Sequence, residues 1–239
     1  MRRLALLLTV ALPTLLIVGP RAGGQESPAE EGARLFAVGC ASCHGPQGEG
    51  TANAPSLVGV GPAAVDFMLS TGRMPLSDPD QQPTRQAPRY SVEEIEALVE
   101  HVASLGPGGV TIPFVSPDAG DLSRGREIYS FNCLACHGAG AQGATVGAGQ
   151  IAPSLHRATP LQVAEAVRVG PGPMPPFSEE LIDQDDLDSL VRYVMDLRTA
   201  SNPGGLDLGR VGPVVEGFVG WVVGLGLLLL VIRLTGTRT

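Results

Sequence analysis

The pattern Cys-x-x-Cys-His occurs twice in this 239-residue chain, at positions 40–44 and again at 133–137. Together the two copies use all 4 cysteines, so no thiol is left over for a disulfide. Two thiols at this spacing can each form a thioether to one vinyl group of the same porphyrin, and the histidine that follows can reach the iron. The pattern therefore predicts two covalently attached c-type haems.

The predicted attachment and proximal-ligand residues are Cys40, Cys43 and His44 in the first copy and Cys133, Cys136 and His137 in the second. A Cys-x-x-Cys pair alone is also compatible with a redox dithiol or with half of a zinc site. A redox dithiol would not explain the histidine that follows each cysteine pair, and a zinc site would not explain why the whole pattern recurs. Two haem c groups explain both the histidine and the recurrence.

Residues around the motifs recur as well, which predicts two copies of one small domain. Each motif is preceded, at a constant shift of 93 positions, by the same kind of trio: Gly32, Leu35 and Phe36, then Gly125, Ile128 and Tyr129. Each copy closes with apolar residues at helical spacing, over 95–105 and 187–197. The expected fold class is mainly α, with two tandem small helical domains and a C-terminal transmembrane helix.

A Pro-Ser-Leu segment follows each motif, beginning at Pro55 and at Pro153. We expect the carbonyl of each proline to accept a hydrogen bond from the haem-bound histidine, because bonds of this kind orient histidines that bind metals. An ordinary turn proline is the alternative interpretation.

Each copy also carries a methionine in a proline-rich loop, Met74 in the first and Met174 in the second. A thioether on a stiff loop is suited to bind the other face of a haem iron, so both are predicted distal ligands. Met68 and Met195 lie in helical patterns and are interpreted as core residues. His101 and His156 are alternative distal ligands or proton-coupled groups, although a surface histidine is the simpler interpretation.

Residues 1–24 are predicted to form a signal peptide or a retained N-terminal anchor. Arg2 and Arg3 precede an apolar stretch that is short for a membrane span and contains Pro13. These features favour a cleaved signal. In either case, the chain that follows is expected to lie outside the cytoplasm.

Residues 213–233 are predicted to form a transmembrane helix. The run 214–232 has Glu216 as its only charged residue, and its length matches a bilayer core. A buried helix of a soluble protein is the alternative. Arg233 and Arg238 at the far end predict a cytoplasmic C-terminus, with the haem domains on the extracytoplasmic side of the cell membrane.

The expected organisation is a first domain over 28–106, a linker over 107–120, a second domain over 121–199 and a second linker over 200–212. The polar, proline-rich segment 76–90 is predicted to be a surface loop. The net charge of −8 argues against nucleic acid as a partner.

Three stretches add a family resemblance: Pro-Ser-Leu-Val-Gly-Val-Gly at 55–61, Ser-Thr-Gly-Arg-Met-Pro at 70–75, and Gly-Pro-Val-Val-Glu-Gly at 212–217. Each repeated unit is similar to the small monohaem cytochrome c fold. Over roughly 28–236, the chain resembles the dihaem cytochrome c (cytochrome cc) subunit of the actinobacterial cytochrome bc complex.

The resemblance implies a subunit of a menaquinol:cytochrome c reductase, a translocase, that itself carries electrons without a small-molecule substrate site. The implied partners are the cytochrome b and Rieske iron–sulfur subunits, a haem-copper terminal oxidase and the membrane. Electrons would pass from the Rieske protein to the Cys40 haem, then to the Cys133 haem, then to the oxidase.

Two other functions stay open from the sequence. The cytochrome subunit of a periplasmic dehydrogenase would carry electrons in the same way from a different donor. A dihaem peroxidase would need an iron with an open or displaceable ligand position, and a methionine available in each copy argues against it.

Overall fold

The computed structural model describes residues 26–199 and 213–236. The predicted N-terminal signal or anchor (1–24) and the predicted second linker (200–212) lie outside the described residues. The described chain is mainly helical, and its helices form two similar units followed by one separate helix. The expectation of a mainly α fold with two tandem domains is confirmed.

The first unit contains α1 (Pro28–Gly39), α2 (Ala41–His44), α3 (Pro62–Ser70) and α4 (Val92–Ser104). The second contains α5 (Leu122–Asn132), α6 (Leu134–His137), α7 (Pro160–Val169) and α8 (Gln184–Thr199). Two short strands, β1 (Ala144–Thr145) and β2 (Ile151–Ala152), pair antiparallel between α6 and α7. The hairpin lies between His137 and Pro153, which are 16 positions apart, whereas His44 and Pro55 in the first unit are 11 positions apart.

The first and last long helices of each unit pack together, α1 on α4 and α5 on α8. At Gly32, an added Cβ would lie 2.1 Å from the carbonyl oxygen of Ala97, and at Gly125 it would lie 2.0 Å from that of Ser189. The helices therefore cross at a distance that only glycine permits. This explains why a glycine stands at the same place before each motif.

One turn after each crossing glycine, an aromatic side chain fills the core. Phe36 and Tyr129 are each 1% exposed, and the Tyr129 hydroxyl donates to the carbonyl of Gly138 at 2.7 Å. Burial of an aromatic ring with its polar atom satisfied is among the larger contributions to a small core. Each unit therefore has its own apolar centre beside its haem turn.

The predicted linker 107–120 lies along both units. The amide of Ala63, in the first turn of α3, donates to the carbonyl of Val110 at 3.0 Å. Further on, the amide of Ser116 donates to the carboxylate of Asp188 on α8 at 2.7 Å. These bonds use backbone groups that would otherwise need water, and they fix the linker at both ends.

The two units also contact each other directly through α3 and α7. The segment 76–90 adds to this contact, because the Gln82 amide group donates to the Ile151 carbonyl at 2.9 Å and accepts from the Ile151 amide at 3.0 Å. The segment lies at the surface over most of its length, as predicted, and this contact is an additional feature. A polar side chain there satisfies both backbone groups of one residue in β2, which composition does not reveal.

The final helix, α9 (Pro213–Thr235), is apolar over Gly217–Thr235 with a mean hydropathy of 2.2. Within 26–199 and 213–236, it is the one helix long and apolar enough to cross a membrane. Its side chains from Phe218 onward are exposed.

Candidate haem sites

Each Cys-x-x-Cys-His pattern forms a single helical turn directly after a longer helix. In the first unit, the amide of His44 donates to the carbonyl of Cys40 at 2.9 Å, and in the second, the amide of His137 donates to that of Cys133 at 2.8 Å. The same bond in both copies gives the same local geometry. The turn carries two sulfurs and an imidazole on one short piece of backbone, as a covalently held haem requires.

The imidazole in each unit is oriented by the proline that the sequence indicated. His44 Nδ1 lies 2.8 Å from the carbonyl oxygen of Pro55, and His137 Nδ1 lies 3.0 Å from that of Pro153. The expected hydrogen bond is therefore confirmed in both copies. With Nδ1 donating to the carbonyl, Nε2 keeps its lone pair for the iron.

Each Pro-Ser-Leu segment is held against the loop that precedes it. The amide of Leu57 donates to the carbonyl of Gly48 at 2.7 Å, and the amide of Leu155 donates to that of Ala141 at 2.9 Å. Ala141 occupies the left-handed region at φ 58°, as Gly48 does at φ 70°. The second copy thus keeps the loop geometry with a side chain in place of glycine.

All four predicted haem residues of the second unit line one cavity, which the structure brings together from two parts of the chain: Cys133, Cys136 and His137 from the motif, and Met174 from the later loop. Apolar side chains from α7 and α8 form much of the rest of the wall, among them Val163, Val167, Leu190 and Val194. An apolar cavity with two thiols and an imidazole at one side and a thioether in its lining fits a haem c.

In the first unit, Cys40 and Met74 both pack against the core cluster around Phe36 and Leu98. The amide of Met74 donates to the carbonyl of Met68 at 3.1 Å, which fixes the start of the methionine loop at the end of α3. Two of the four predicted haem residues of this unit, Cys40 and Met74, are thus brought to one core.

Burial keeps His137, the predicted proximal ligand of the second unit, neutral. His137 is buried, and this lowers its pKa below the ordinary value, although the hydrogen bond to Pro153 opposes the shift. A neutral imidazole is the form that binds a metal. His156, one of the alternative ligands, instead has its Nε2 2.6 Å from the carbonyl oxygen of Gly140.

The first unit supplies part of the wall of the second cavity, which the sequence did not reveal. Its contribution is Phe67, Met68, Arg73, Gln82, Pro83, Thr84 and Arg85. Met68, interpreted from the sequence as a core residue, is half-buried in this wall. No spacing along the chain signals a contact of this kind, because it depends on how the two units pack.

Arg73 is the most unusual side chain of this wall. It is 9% exposed, its guanidinium carbon lies 4.8 Å from the centre of the Phe67 ring, and its Nη1 has no hydrogen-bond partner among the described residues. Burial, with a smaller effect of the nearby Arg85, lowers the pKa of Arg73 to about 10. The guanidinium therefore stays charged at neutral pH.

A buried carboxyl group lies between the units. Glu165 on α7 is 0% exposed, and neither of its oxygens has a donor partner among the described residues. Burial raises its pKa to about 9, and the neighbouring Asp66 carboxyl on α3 adds to the shift. At neutral pH, Glu165 therefore keeps its proton.

Two haem turns, each with an orienting proline, a methionine loop and a closing helix, define a dihaem c-type cytochrome. The "Cytochrome bc1 complex cytochrome c subunit" of Corynebacterium diphtheriae is 31% identical to this chain over 228 residues, which cover 88% of this chain and 81% of that protein. The chain belongs to the family of cytochrome bc1 complex cytochrome c subunits. It is a component of a redox complex and carries two covalently bound haem c groups.

Other comparisons agree with this assignment. The protein of the same name from Mycobacterium tuberculosis is 35% identical over 204 residues, covering 81% of this chain and 72% of that protein. Residues 29–106 match the family described as "Cytochrome c", and residues 120–194 match "Cytochrome C oxidase, cbb3-type, subunit III". A "Cbb3-type cytochrome c oxidase subunit CcoP" from Azospirillum is 30% identical over 190 residues, covering 70% of this chain and 61% of that protein.

Proposed function

We propose that this chain is the membrane-anchored dihaem subunit of a menaquinol:cytochrome c reductase. It receives electrons from the Rieske iron–sulfur subunit and passes them, through the Cys40 site and then the Cys133 site, to a haem-copper terminal oxidase. The observation that carries the proposal is the similarity to bc1 complex cytochrome c subunits over most of the chain. The similarity of the second unit to an oxidase subunit supports the oxidase as the acceptor.

Each haem supplies one-electron redox chemistry when bound, and the protein residues set its ligation and surroundings. We assign the thioethers to Cys40, Cys43, Cys133 and Cys136, the proximal ligands to His44 and His137, and the distal ligands to Met74 and Met174. The Pro55 and Pro153 carbonyls fix the proximal rings. A methionine as sixth ligand raises the potential and leaves no open position, as electron transfer requires.

The location of Met174 in the lining of the second cavity favours a carrier over a peroxidase. Peroxide chemistry needs an iron with an accessible sixth position. The dehydrogenase alternative uses the same haem geometry, so the family relationship is what favours the bc complex over it.

We assign α9 to a single membrane span, with the haem domains on the extracytoplasmic side. Its length and apolar character support the span, and Arg233 at its end supports a cytoplasmic C-terminus. A variant truncated after residue 212 should then keep its haem spectrum but be found in the soluble fraction instead of the membrane fraction. An alkaline phosphatase domain fused after Thr239 should be inactive, because that enzyme works only outside the cytoplasm.

The proposal is tested by purifying the full-length chain from native membranes in mild detergent through an affinity tag. We expect cytochrome b, a Rieske protein and a haem-copper oxidase to co-purify, with quinol-dependent oxygen uptake. A dehydrogenase as the sole partner would favour the dehydrogenase alternative. The chain alone with peroxide turnover would identify a peroxidase, and either of these results overturns the proposal.

A further inference from the structure

The second haem cavity receives two cationic side chains from the first domain, Arg73 and Arg85. No carboxylate among the described residues forms a salt bridge with either of them. Arg85 donates to the amide oxygen of Gln162 at 2.5 Å, and that amide carries no charge to balance the guanidinium. Two positive groups therefore meet at this cavity wall without a negative partner from the described protein.

A buried guanidinium without a partner is costly. An ion removed from water loses several kcal/mol of solvation unless a hydrogen-bonded counter-charge replaces it. Arg73 is nine-tenths buried, its Nη1 is unpartnered, and the ring of Phe67 covers only one face of the group. Buried polar atoms that lack a protein partner in a native structure commonly face a ligand or an ion.

The haem c that belongs in this cavity carries two propionate carboxylates besides its iron. We propose that Arg73, assisted by Arg85, binds a propionate of the haem attached to Cys133 and Cys136, so that the first domain completes the haem site of the second. Arginine suits this role because its planar fork can hold a carboxylate by two parallel hydrogen bonds. The proposal rests on the haem content of the chain and does not depend on which proteins donate or accept the electrons.

This assignment gives Arg73 two neighbours of functional importance. It directly precedes Met74, the proposed distal ligand of the first haem, while its side chain lines the site of the second. Binding of the second haem's propionate by Arg73 would therefore also restrain the loop that carries Met74. A positive charge at the propionate also favours the reduced state of the second haem, because reduction removes one positive charge from the iron.

The experiment is a redox titration of both haems in the full-length protein carrying Arg73→Gln. We expect the ratio of reduced to oxidised second haem, at a fixed potential, to fall by about tenfold, which corresponds to about 59 mV for a one-electron couple. Arg73→Lys should keep most of the potential because it keeps the charge. The Met174→Ala variant identifies which of the two potentials belongs to the second haem.

Arg89→Gln is the matched control, since Arg89 is exposed, belongs to the same domain and does not line the cavity. The haem content shows whether each variant is loaded. The charge-transfer band of the methionine–iron bond shows whether methionine ligation at the first haem is intact. If Arg73→Gln fails to load haem, the same redox titration is made on Arg85→Gln. We expect a smaller decrease in the ratio of reduced to oxidised second haem in that variant.

The proposal is overturned if Arg73→Gln and Arg85→Gln change the second haem no more than Arg89→Gln does, or if only the first haem responds. A structure of the loaded protein with Arg73 beyond hydrogen-bond distance of every propionate oxygen also overturns it. Neither result bears on the partners that co-purify with the chain, so this inference and the proposed electron-transfer function fail separately.

Discussion

The carboxyl group of Glu165 on α7 faces that of Asp66 on α3 across the contact between the two cytochrome c domains. Two carboxyl groups at a buried contact cannot both be ionised without strong repulsion, so one retains a proton. The raised pKa of Glu165, about 9, identifies the group that does so. The domain contact therefore contains a proton that unfolding releases at neutral pH.

This pair predicts a specific dependence of stability on pH. Between pH 4.5, the ordinary value for glutamate, and pH 9, the folded protein binds a proton at Glu165 that the unfolded chain does not. Its contribution to the free energy of unfolding must therefore decrease as pH rises through this range. Thermal unfolding of the loaded protein at several pH values should show a shallower decrease for Glu165→Gln. Glu96→Gln, which changes an exposed residue of α4, should leave the wild-type slope, and equal slopes for all three proteins would contradict the prediction.

The proposed distal ligands can be tested by removing each thioether in turn. Met74→Ala and Met174→Ala should each lower the potential of the haem in the same domain and open that haem to carbon monoxide, because a six-coordinate iron becomes five-coordinate. Redox titration and the optical change with carbon monoxide measure both effects. Met195→Ala, which removes a methionine that packs on the second core without lining the cavity, is the control. If neither ligand variant binds carbon monoxide or shifts in potential, the assignment is wrong.

The helix crossings predict that a single methyl group destabilises either domain. Gly32→Ala and Gly125→Ala would each place Cβ against a backbone carbonyl of the facing helix, and overpacking of this kind costs about 1–3 kcal/mol. Denaturant unfolding followed by the haem absorption should show this loss for each variant. Gly147→Ala, whose added Cβ would meet nothing within 4 Å, should be nearly neutral. A comparable loss in that control would mean that chain flexibility, rather than the crossing, is responsible.

The bond between the segment 76–90 and β2 predicts a difference between two adjacent glutamines. Gln82→Ala removes both hydrogen bonds to Ile151, which together contribute about 1–3 kcal/mol. Gln81→Ala removes a surface bond to Asp78 within the same segment and should have little effect. Hydrogen exchange at the amide of Ile151 should be faster in the first variant alone. Equal exchange in both variants would show that Gln82 does not hold the domains together.

Much of each haem site could be predicted because its parts are close in sequence and repeated. The cysteines and histidine of each motif lie within one helical turn. Pro55 follows its histidine by 11 positions and Pro153 by 16. Local chain geometry then leaves few ways to arrange them. The repetition itself was informative, because a feature that recurs at the same place in two copies, such as Gly32 and Gly125, has a structural cause.

The roles of Arg73, Gln82 and Glu165 could not be predicted in this way. An arginine beside a methionine loop, a glutamine in a polar segment and a glutamate on a helix each have the appearance of ordinary surface residues in the sequence. Gln82 and Glu165 acquire their roles from a residue in the other domain, and Arg73 acquires its role from a cavity that the other domain carries. These distances along the chain are ones that no periodicity encodes.

The sequence by itself therefore determined the two haem turns, their orienting prolines, the tandem helical domains and the apolar C-terminal helix, because each of these depends on residues near one another in the chain. Only the tertiary structure decided how the two domains meet. Packing of α3 on α7 excludes water from Glu165 and brings Arg73 to the wall of the second haem cavity. Loss of water changes the chemistry of an ionisable group, and the packing of the two domains decides which groups lose it.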